Sequence, residues 1–573
     1  MDWRIEYQRW KEYGQLDDQL RANLEELTPT QAEDAFSSYL SFGTAGMRGI
    51  MGAGLNRMNV YTVRQATEGL ARLIEDQGKE AMERGVVIAY DSRHQSSEFA
   101  MQAALVLGYH GIKVYLFESL RPTPVLSFSV RHLKAYAGIM ITASHNPSEY
   151  NGYKVYGEDG GQMPPALADR LSQSVAAIQD ILTIPFGDKT TLLGSGQIEI
   201  ISDRLDQAYL DQMRTVTLQK DLINQAGDQV KIVYTPLHGA GLYLGLKALH
   251  QAGFSQVHVV EDQAQADGDF PTVKYPNPES PAAFDMAEQL AQVIDADVIL
   301  ATDPDADRLG AMIRNETGTF QLLTGNQIAV LMLDYLLTIK SQSGDLPSDG
   351  VVIKSIVSTD LVECLTRQYQ VELVEVLTGF KYIGEKIKQY EQNQSHSFLM
   401  GFEESYGYLL KTFARDKDAI QALVFISELT AYHKQQGNSL SEVLEQIYQR
   451  YGYYYEETLS FDYPGLGGRD QMKKMMTQLR EMALKELADF KVIETIDCLS
   501  GIRSCEDGHQ IPLVYPKSDV LKYRLTPNAW FALRPSGTEP KIKLYLGVVD
   551  KNKEEAMMKA EQLKEAARTL LQV

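Results

Sequence analysis

Cysteine is scarce in this chain: among 573 residues there are three, Cys364, Cys498 and Cys505. They are too few and too scattered for a disulfide framework or a zinc site, and read as ordinary reduced thiols. Also missing is any run approaching the ~20 apolar residues that span a bilayer. The opening Met1-Asp-Trp-Arg-Ile-Glu-Tyr lacks the apolar core of a secretory signal, so a cytoplasmic protein is expected. Positive charge is in deficit, with 55 Lys and Arg against 76 Asp and Glu and a net charge of −21. That balance argues against nucleic acid and against an anionic membrane surface as partners. An anionic ligand has to be held by a local group of basic residues.

What is present is the composition of a globular protein, 44% hydrophobic and 23% charged. The length predicts roughly three to five domains. Residues 3 to 35 read as polar amphipathic helices. Ser41-Phe-Gly-Thr-Ala-Gly-Met-Arg48-Gly-Ile-Met-Gly-Ala-Gly54 follows, a glycine-rich loop with neither the P-loop ending nor a dinucleotide fingerprint. It is either a connector or a loop whose backbone approaches an anion while Arg48 supplies charge. Residues 59 to 76 look helical, and Gly85 to Tyr90 is a buried strand leading to Asp91-Ser-Arg93. Ala137 to Ile141 is a second buried strand, ending in Thr142-Ala-Ser144-His145-Asn146-Pro147. A serine at such a strand end either carries chemistry or merely satisfies its own turn. Lys154 can return to the same cleft through a tight turn at Asn151-Gly152, or else it is a surface lysine. Alternating strand and helix patterns predict a mainly parallel sheet.

A second unit begins near Leu205 and ends in Asp303-Pro-Asp305-Ala-Asp307-Arg308. Pro304 disfavours helix, so an extended backbone would turn the three carboxylates to one side. Like charges so close repel unless a cation sits among them, and hard oxygen ligands suit Mg²⁺. A calcium EF-hand loop fails because Arg308 stands where glycine is needed and Arg314 where glutamate is needed. A solvated acidic turn is the remaining alternative. A third strand ends in Gly401-Phe-Glu403-Glu404-Ser405, where Glu403 and Ser405 can face one ligand. Residues 439 to 455 look helical, and the acidic run to Gly468 reads as a linker. A smaller last unit carries Arg534-Pro-Ser536-Gly537-Thr538-Glu-Pro-Lys541 between two strands. An arginine with two hydroxyls at a glycine turn forms a phosphate cradle. Residues 551 to 571 form a covering amphipathic helix.

The four loops, in this order, resemble those of the α-D-phosphohexomutase family. Thr142 to Pro147 is similar to its phosphoserine loop and Asp303 to Arg308 to its magnesium loop. Gly401 to Ser405 is similar to its sugar-recognition loop and Arg534 to Pro540 to its phosphate-binding loop. Gly43-Thr-Ala-Gly-Met-Arg48 and the length resemble the longer phosphoglucomutase branch, which includes phosphopentomutase-like members. The resemblance implies three related α/β domains and a smaller α+β domain of the TATA-box-binding-protein-like type around one cleft. On this reading the domains span 1–204, 205–317, 318–452 and 453–573. Ser144 would carry a phosphoryl group, and Asp303, Asp305 and Asp307 would hold one Mg²⁺ together with a phosphoserine oxygen. Arg48, His145, Lys154 and Arg308 would line the transfer site. Glu403 and Ser405 would bind sugar hydroxyls, Lys381 would face the ligand, and Arg534, Ser536, Gly537 and Thr538 would hold the unreacting phosphate. Gly407 stands where some shorter members carry a histidine, which moves the acid–base assignment to Lys154, with His145 second.

The implied reaction interconverts glucose 1-phosphate and glucose 6-phosphate, with α-D-glucose 1,6-bisphosphate as activator and intermediate. Partners are small-molecule sugar phosphates, the protein being a monomer or homodimer. A mannose or pentose phosphate mutase is the alternative, and a catalytically silent sugar-phosphate-binding regulator comes third. A serine hydrolase is poorer still: no nucleophile elbow is present, and His145 is adjacent to Ser144.

Overall fold

The computed structural model describes residues 2–43, 46–463, 468–536 and 541–571. The chain divides into two compact units. The first comprises Met1–Tyr335, Asp349–Val351 and Phe380–Ser439; the second comprises Leu336–Ser348, Val352–Gly379 and Leu440–Val573.

In the first unit, short helices Trp3–Glu12, Asp18–Glu26 and Pro29–Phe36 precede a six-stranded sheet. Its strands are β1 (Met47–Ile50), β2 (Val86–Tyr90), β3 (Val114–Phe117), β4 (Ala137–Ile141), β5 (Tyr150–Tyr156) and β6 (Ile198–Ile201), in the order β1-β5-β4-β2-β3-β6. β4, β2, β3 and β6 run parallel, β5 is antiparallel to β4, and β1 is antiparallel to β5. The central strands β2 and β4 are buried along almost their whole length, which is why they read as apolar runs and not as alternation. Helix Val60–Asp76 covers one face, started by a capping box in which Asn59 and Thr62 satisfy each other's backbone N–H groups. The expected turn at Asn151-Gly152 is strand instead. The chain turns earlier, where Tyr150 N–H donates to Pro147 C=O, and Lys154 lies opposite Met140 through antiparallel pairing.

A second sheet contains β7 (Ile232–Thr235), β8 (Val257–Val259), β9 (Val298–Thr302), β10 (Leu309–Arg314) and β11 (Phe320–Leu322) in the order β11-β10-β9-β7-β8. β8, β7 and β9 are parallel, and β10 and β11 are antiparallel. The aspartate loop between β9 and β10 is a tight turn and not the expected extended segment. Ala306 has φ +48°, and Asp303 accepts from the N–H groups of Asp307 and Arg308, so the side chain of the first residue closes the loop. In the third segment come β12 (Gly350–Ser355), β13 (Glu372–Val376), β14 (Ser397–Glu403) and β15 (Gly407–Leu409), the last two an antiparallel pair around Glu404–Tyr406. Helix Ala419–Gln435 is buried from Ala419 to Ala431 and is capped by Asp418, which accepts from Ile420 and Gln421 N–H.

The second unit holds an antiparallel sheet of eight strands: β16 (Tyr453–Asp462), β17 (Glu486–Leu487), β18 (Phe490–Asp497), β19 (Ile502–Cys505), β20 (Gln510–Pro512), β21 (Leu521–Thr526), β22 (Ala529–Pro535) and β23 (Lys541–Asp550). Helices Gly468–Glu481 and Lys553–Leu571 share its core, an α+β arrangement. Two sequence expectations change here. The helix expected over 439–455 ends at Tyr451, and most of the expected linker is β16, paired residue for residue with β23. Tyr453-Tyr454-Tyr455 and the alternation that follows suit a strand, and the glutamates that read as linker are tolerated on an edge. In the same unit Lys354 is buried between Asp360 (2.7 Å) and Glu375 (2.9 Å), and buried Lys522 donates to Ile356 C=O (2.7 Å).

Glu428 sits buried within Ala419–Gln435, accepting from Leu218 N–H, Gln219 N–H and the Tyr335 hydroxyl. Burial pushes its pKa up to about 7. An unfolded glutamate titrates near ~4.3, so the native state binds more protons between the two values and loses stability as pH rises through them. Glu428→Gln removes that titration. Raising pH from about 5 to about 8 should lower the denaturation midpoint of the parent protein more than that of the variant; an equal pH dependence would refute the assignment.

Candidate active site

Fully buried β4 delivers Ser144 into a turn where it has φ +52° and is 4% exposed. A left-handed serine is held only if its surroundings over-determine it. Here its N–H donates to Thr142 Oγ1 (2.8 Å), and Arg93 binds the loop from behind. Arg93 is buried; its Nη2 donates to the carbonyls of Ser144 (2.6 Å) and Asn146, and its Nη1 to those of Pro147 (2.8 Å) and Tyr150 (3.0 Å). Asp91 lies 3.4 Å from its Nε and accepts from Arg93 N–H and Ser96 Oγ. Arg48 Nη1 donates to Asn146 Oδ1 (2.7 Å), placing the glycine-rich loop beside the serine loop. The Ser144 hydroxyl donates to Asp303 Oδ2 (2.8 Å) and lies 3.2 Å from His145 Nδ1.

The structure brings Asp303, Asp305 and Asp307 together: all are buried, and one carboxylate oxygen from each lies within 4.8 Å of the others. Asp305 Oδ2 receives Lys154 Nζ and Thr123 Oγ1, both at 2.8 Å. Asp307 Oδ2 receives Lys417 Nζ at 3.1 Å and lies 3.7 Å from Lys154 Nζ. Arg308 reaches outward to Glu279 at 2.5 Å. Burial, reinforced by its two neighbouring carboxylates, raises the Asp303 pKa well above the usual range. For Asp305 burial is the largest single effect and acts upward, but the Lys154 ammonium and the hydrogen bonds to the carboxylate, Thr123's among them, together outweigh it and the pKa is lowered. Lys154 and Lys417 are both held protonated against the effect of burial, Lys154 by Asp305 and Asp307 and Lys417 by Asp307 and Asp416.

These residues fit a divalent cation. Asp305 Oδ1 and Asp307 Oδ1 are buried without a hydrogen-bond partner among the described residues, although buried carboxylate oxygens ordinarily find donors. They share the cluster with Asp303, to which the Ser144 hydroxyl is bonded. An all-oxygen donor set of this size suits Mg²⁺.

Several functional candidates escaped sequence reasoning. Lys417 lies in Arg415-Asp416-Lys417-Asp418, at the foot of helix Ala419–Gln435. Its Nζ is 3.2 Å from Asp416 Oδ1, while Asp416 Oδ2 accepts from Tyr156 Oη (2.8 Å) and Gln162 Nε2 (2.9 Å). Its stem crosses Gly407, where an added Cβ would lie 2.1 Å from Lys417 Cδ. The position lacking a histidine is therefore the space a lysine uses. A run of alternating charges just before a long apolar helix was the available signal. Arg93 carried no signal beyond its place after β2, and Thr123 none beyond its place after Pro122 at a helix start.

The remaining expected residues are more dispersed. Glu403 ends β14, is 5% exposed, and adds to the fields that keep Arg308 and Lys417 protonated. Ser405 is half-buried in the turn before β15. Lys381 is half-buried on helix Phe380–Asn393, where burial lowers its pKa and Asp169 and Glu385 are its charged neighbours. Arg534 lies near the end of β22 in the second unit, and Ser536 follows, its N–H donating to Lys541 C=O (2.7 Å). Gly537 and Thr538 lie outside the described residues.

Models described as Phosphoglucomutase/phosphomannomutase match the chain in four successive segments: alpha/beta/alpha domains I, II and III over residues 39–181, 207–318 and 324–451, and the C-terminal domain over 482–564. A phosphoglucomutase of Staphylococcus saprophyticus is 37% identical over 534 residues, covering 92% of this chain and 94% of the relative. One from Staphylococcus haemolyticus is 38% identical over 545 residues, covering 94% and 95%. The solved open form of the Paramecium phosphoglucomutase pp63/parafusin superposes with a TM-score of 0.67 at 16% identity, over 93% of this chain and 95% of that one.

The carboxylate geometry makes a direct forecast. Chelator-treated protein should bind one Mn²⁺ per chain by electron paramagnetic resonance titration. Asp307→Asn should weaken that affinity more than about tenfold. Unchanged affinity in the variant would remove Asp307 from the site.

Proposed function

Because the chain belongs to the phosphoglucomutase/phosphomannomutase family, we propose that it interconverts α-D-glucose 1-phosphate and glucose 6-phosphate through phosphorylated Ser144 and glucose 1,6-bisphosphate. Named phosphoglucomutases at 37% and 38% identity over most of the chain support the substrate. The observation that carries the mechanism is the Ser144 hydroxyl bonded to Asp303 inside a buried carboxylate cluster whose Asp305 Oδ1 and Asp307 Oδ1 have no hydrogen-bond donor among the described residues.

Phosphoryl transfer depends mainly on positioning and charge stabilisation. Asp303, Asp305 and Asp307 would hold Mg²⁺, which when bound supplies positive charge against the phosphoryl oxygens. Ser144 serves as phosphate carrier: the bond from phosphorus to Oγ breaks as the bond to the sugar 6-oxygen forms, and one proton passes from O6 to Oγ. Lys154, an ammonium 2.8 Å from Asp305, releases a proton to Oγ and is recharged from O6; His145 is the second candidate. The bisphosphate then turns over, and its 1-phosphate returns to Ser144. Arg48, Arg308 and Lys417 offset the charge of the moving group. Glu403 and Ser405 accept from adjacent sugar hydroxyls, and Lys381 supplies a further ligand-facing cation. For Arg534, Ser536, Gly537 and Thr538 the assigned role is to hold the unreacting phosphate, on the chemistry of an arginine fork beside hydroxyls.

The chain is expected to convert glucose 1-phosphate in a coupled assay with Mg²⁺ and a trace of glucose 1,6-bisphosphate, faster than mannose 1-phosphate or ribose 1-phosphate. Intact-mass analysis should find a phosphoryl group on the parent protein and none on Ser144→Ala, whose turnover should fall by about 10³-fold or more. Full activity in Ser144→Ala would overturn the carrier role. A preference for mannose or ribose 1-phosphate would reassign the sugar and leave the mechanism standing.

A further inference from the structure

Asp305 is held by a residue that the mechanism above does not use. Thr123, fully buried, donates its N–H to Asp305 C=O and its Oγ1 to Asp305 Oδ2, both at 2.8 Å. One residue thus grips the main chain and the side chain of the same aspartate. With Lys154 on that oxygen as well, Oδ2 has two donors, and Oδ1 is buried with none among the described residues. The bond therefore selects one rotation of the carboxylate, with Oδ2 occupied by protein donors and Oδ1 left for another ligand.

Thr123 itself cannot easily move. It begins helix Thr123–Leu133 directly after Pro122, whose φ is restricted by its ring. Arg121, just before, donates N–H to Tyr90 C=O at the end of β2 (3.0 Å). The Arg121 guanidinium also forms a buried fork with Asp206, Nε to Oδ1 and Nη2 to Oδ2, both 2.8 Å. Arg121–Asp206 thus ties the residues after β3 to helix Asp203–Met213, and Thr123–Asp305 ties them to the aspartate loop. An arginine–carboxylate fork is directional as well as strong, so it fixes the angle at which the threonine is presented.

We propose that Thr123 is a positioning residue for the divalent cation, setting the orientation of Asp305 through its hydroxyl. This rests on the reading of Asp303, Asp305 and Asp307 as the cation site. Outer hydrogen bonds of this kind are commonly worth ten- to a hundredfold in metal affinity, roughly, because an unrestrained ligand must be ordered on binding.

The test titrates Mn²⁺ into chelator-treated full-length protein by electron paramagnetic resonance, for the parent, Thr123→Val and Thr123→Ser, with thermal melting of each metal-free form. Valine keeps the volume and removes the donor; serine keeps the donor and removes the methyl. The expected result is about tenfold weaker Mn²⁺ binding in Thr123→Val and affinity within about twofold of the parent in Thr123→Ser. Affinity in Thr123→Val equal to the parent would overturn the proposal. So would equal weakening in both variants accompanied by lower metal-free melting temperatures, since packing and not the hydroxyl would then be responsible. Failure of the parent protein itself to bind Mn²⁺ would reject the cation-site reading, an outcome distinct from either.

Discussion

Three carboxylates buried within one turn have to be kept together against their own repulsion, and much of the first unit is arranged to do so. At an effective dielectric of ~20, two unit charges ~4.8 Å apart repel by about 3.5 kcal/mol. Carboxylate oxygens of Asp303, Asp305 and Asp307 lie within 4.8 Å of one another, and burial together with this repulsion raises the Asp303 pKa. No single element supplies the compensation. Lys154 comes from a strand antiparallel to the serine strand, Lys417 from the loop after β15, and Thr123 from a helix start. The aspartate loop is therefore a junction where distant segments meet because each brings a donor.

The serine loop shows the same logic with backbone groups. A left-handed Ser144 would relax if left alone, and buried Arg93 denies it the chance by binding four carbonyls around it. The hydroxyl is then aimed at Asp303 from one direction. In the proposed carrier role the serine would need placement of this kind more than a strong base; His145 Nδ1 lies 3.2 Å from its Oγ. Gly407 and Lys417 extend the pattern, because the absent side chain of one makes room for the cation of the other.

Much of the fold could be read from residue pattern alone. Continuous apolar runs marked β2 and β4, and Asn59 marked a helix start. The errors have physical causes. Asn151-Gly152 is a turn pair by propensity, yet pairing with Gly49 and Arg48 of β1, and the bond from Thr142 N–H to Gly152 C=O, hold it as strand. The aspartates seemed to need an extended backbone to converge, whereas a turn closed by Asp303 on the next N–H groups does it more tightly. β16 reads as a helix end to Tyr455 and a linker beyond it, because its glutamates hide a ten-residue partnership with β23.

Local chemistry in the sequence determined which loops matter. A serine after an apolar run, aspartates around a proline, a Glu-Glu-Ser turn and an arginine with hydroxyls each carry their meaning within a few residues. The tertiary structure alone decided which charges face which. Lys154 on Asp305, Lys417 on Asp307, Arg93 behind Ser144 and Thr123 beside Asp305 are contacts between residues far apart in the chain. Their energies come from burial and distance, and neither is a property of any short stretch of sequence.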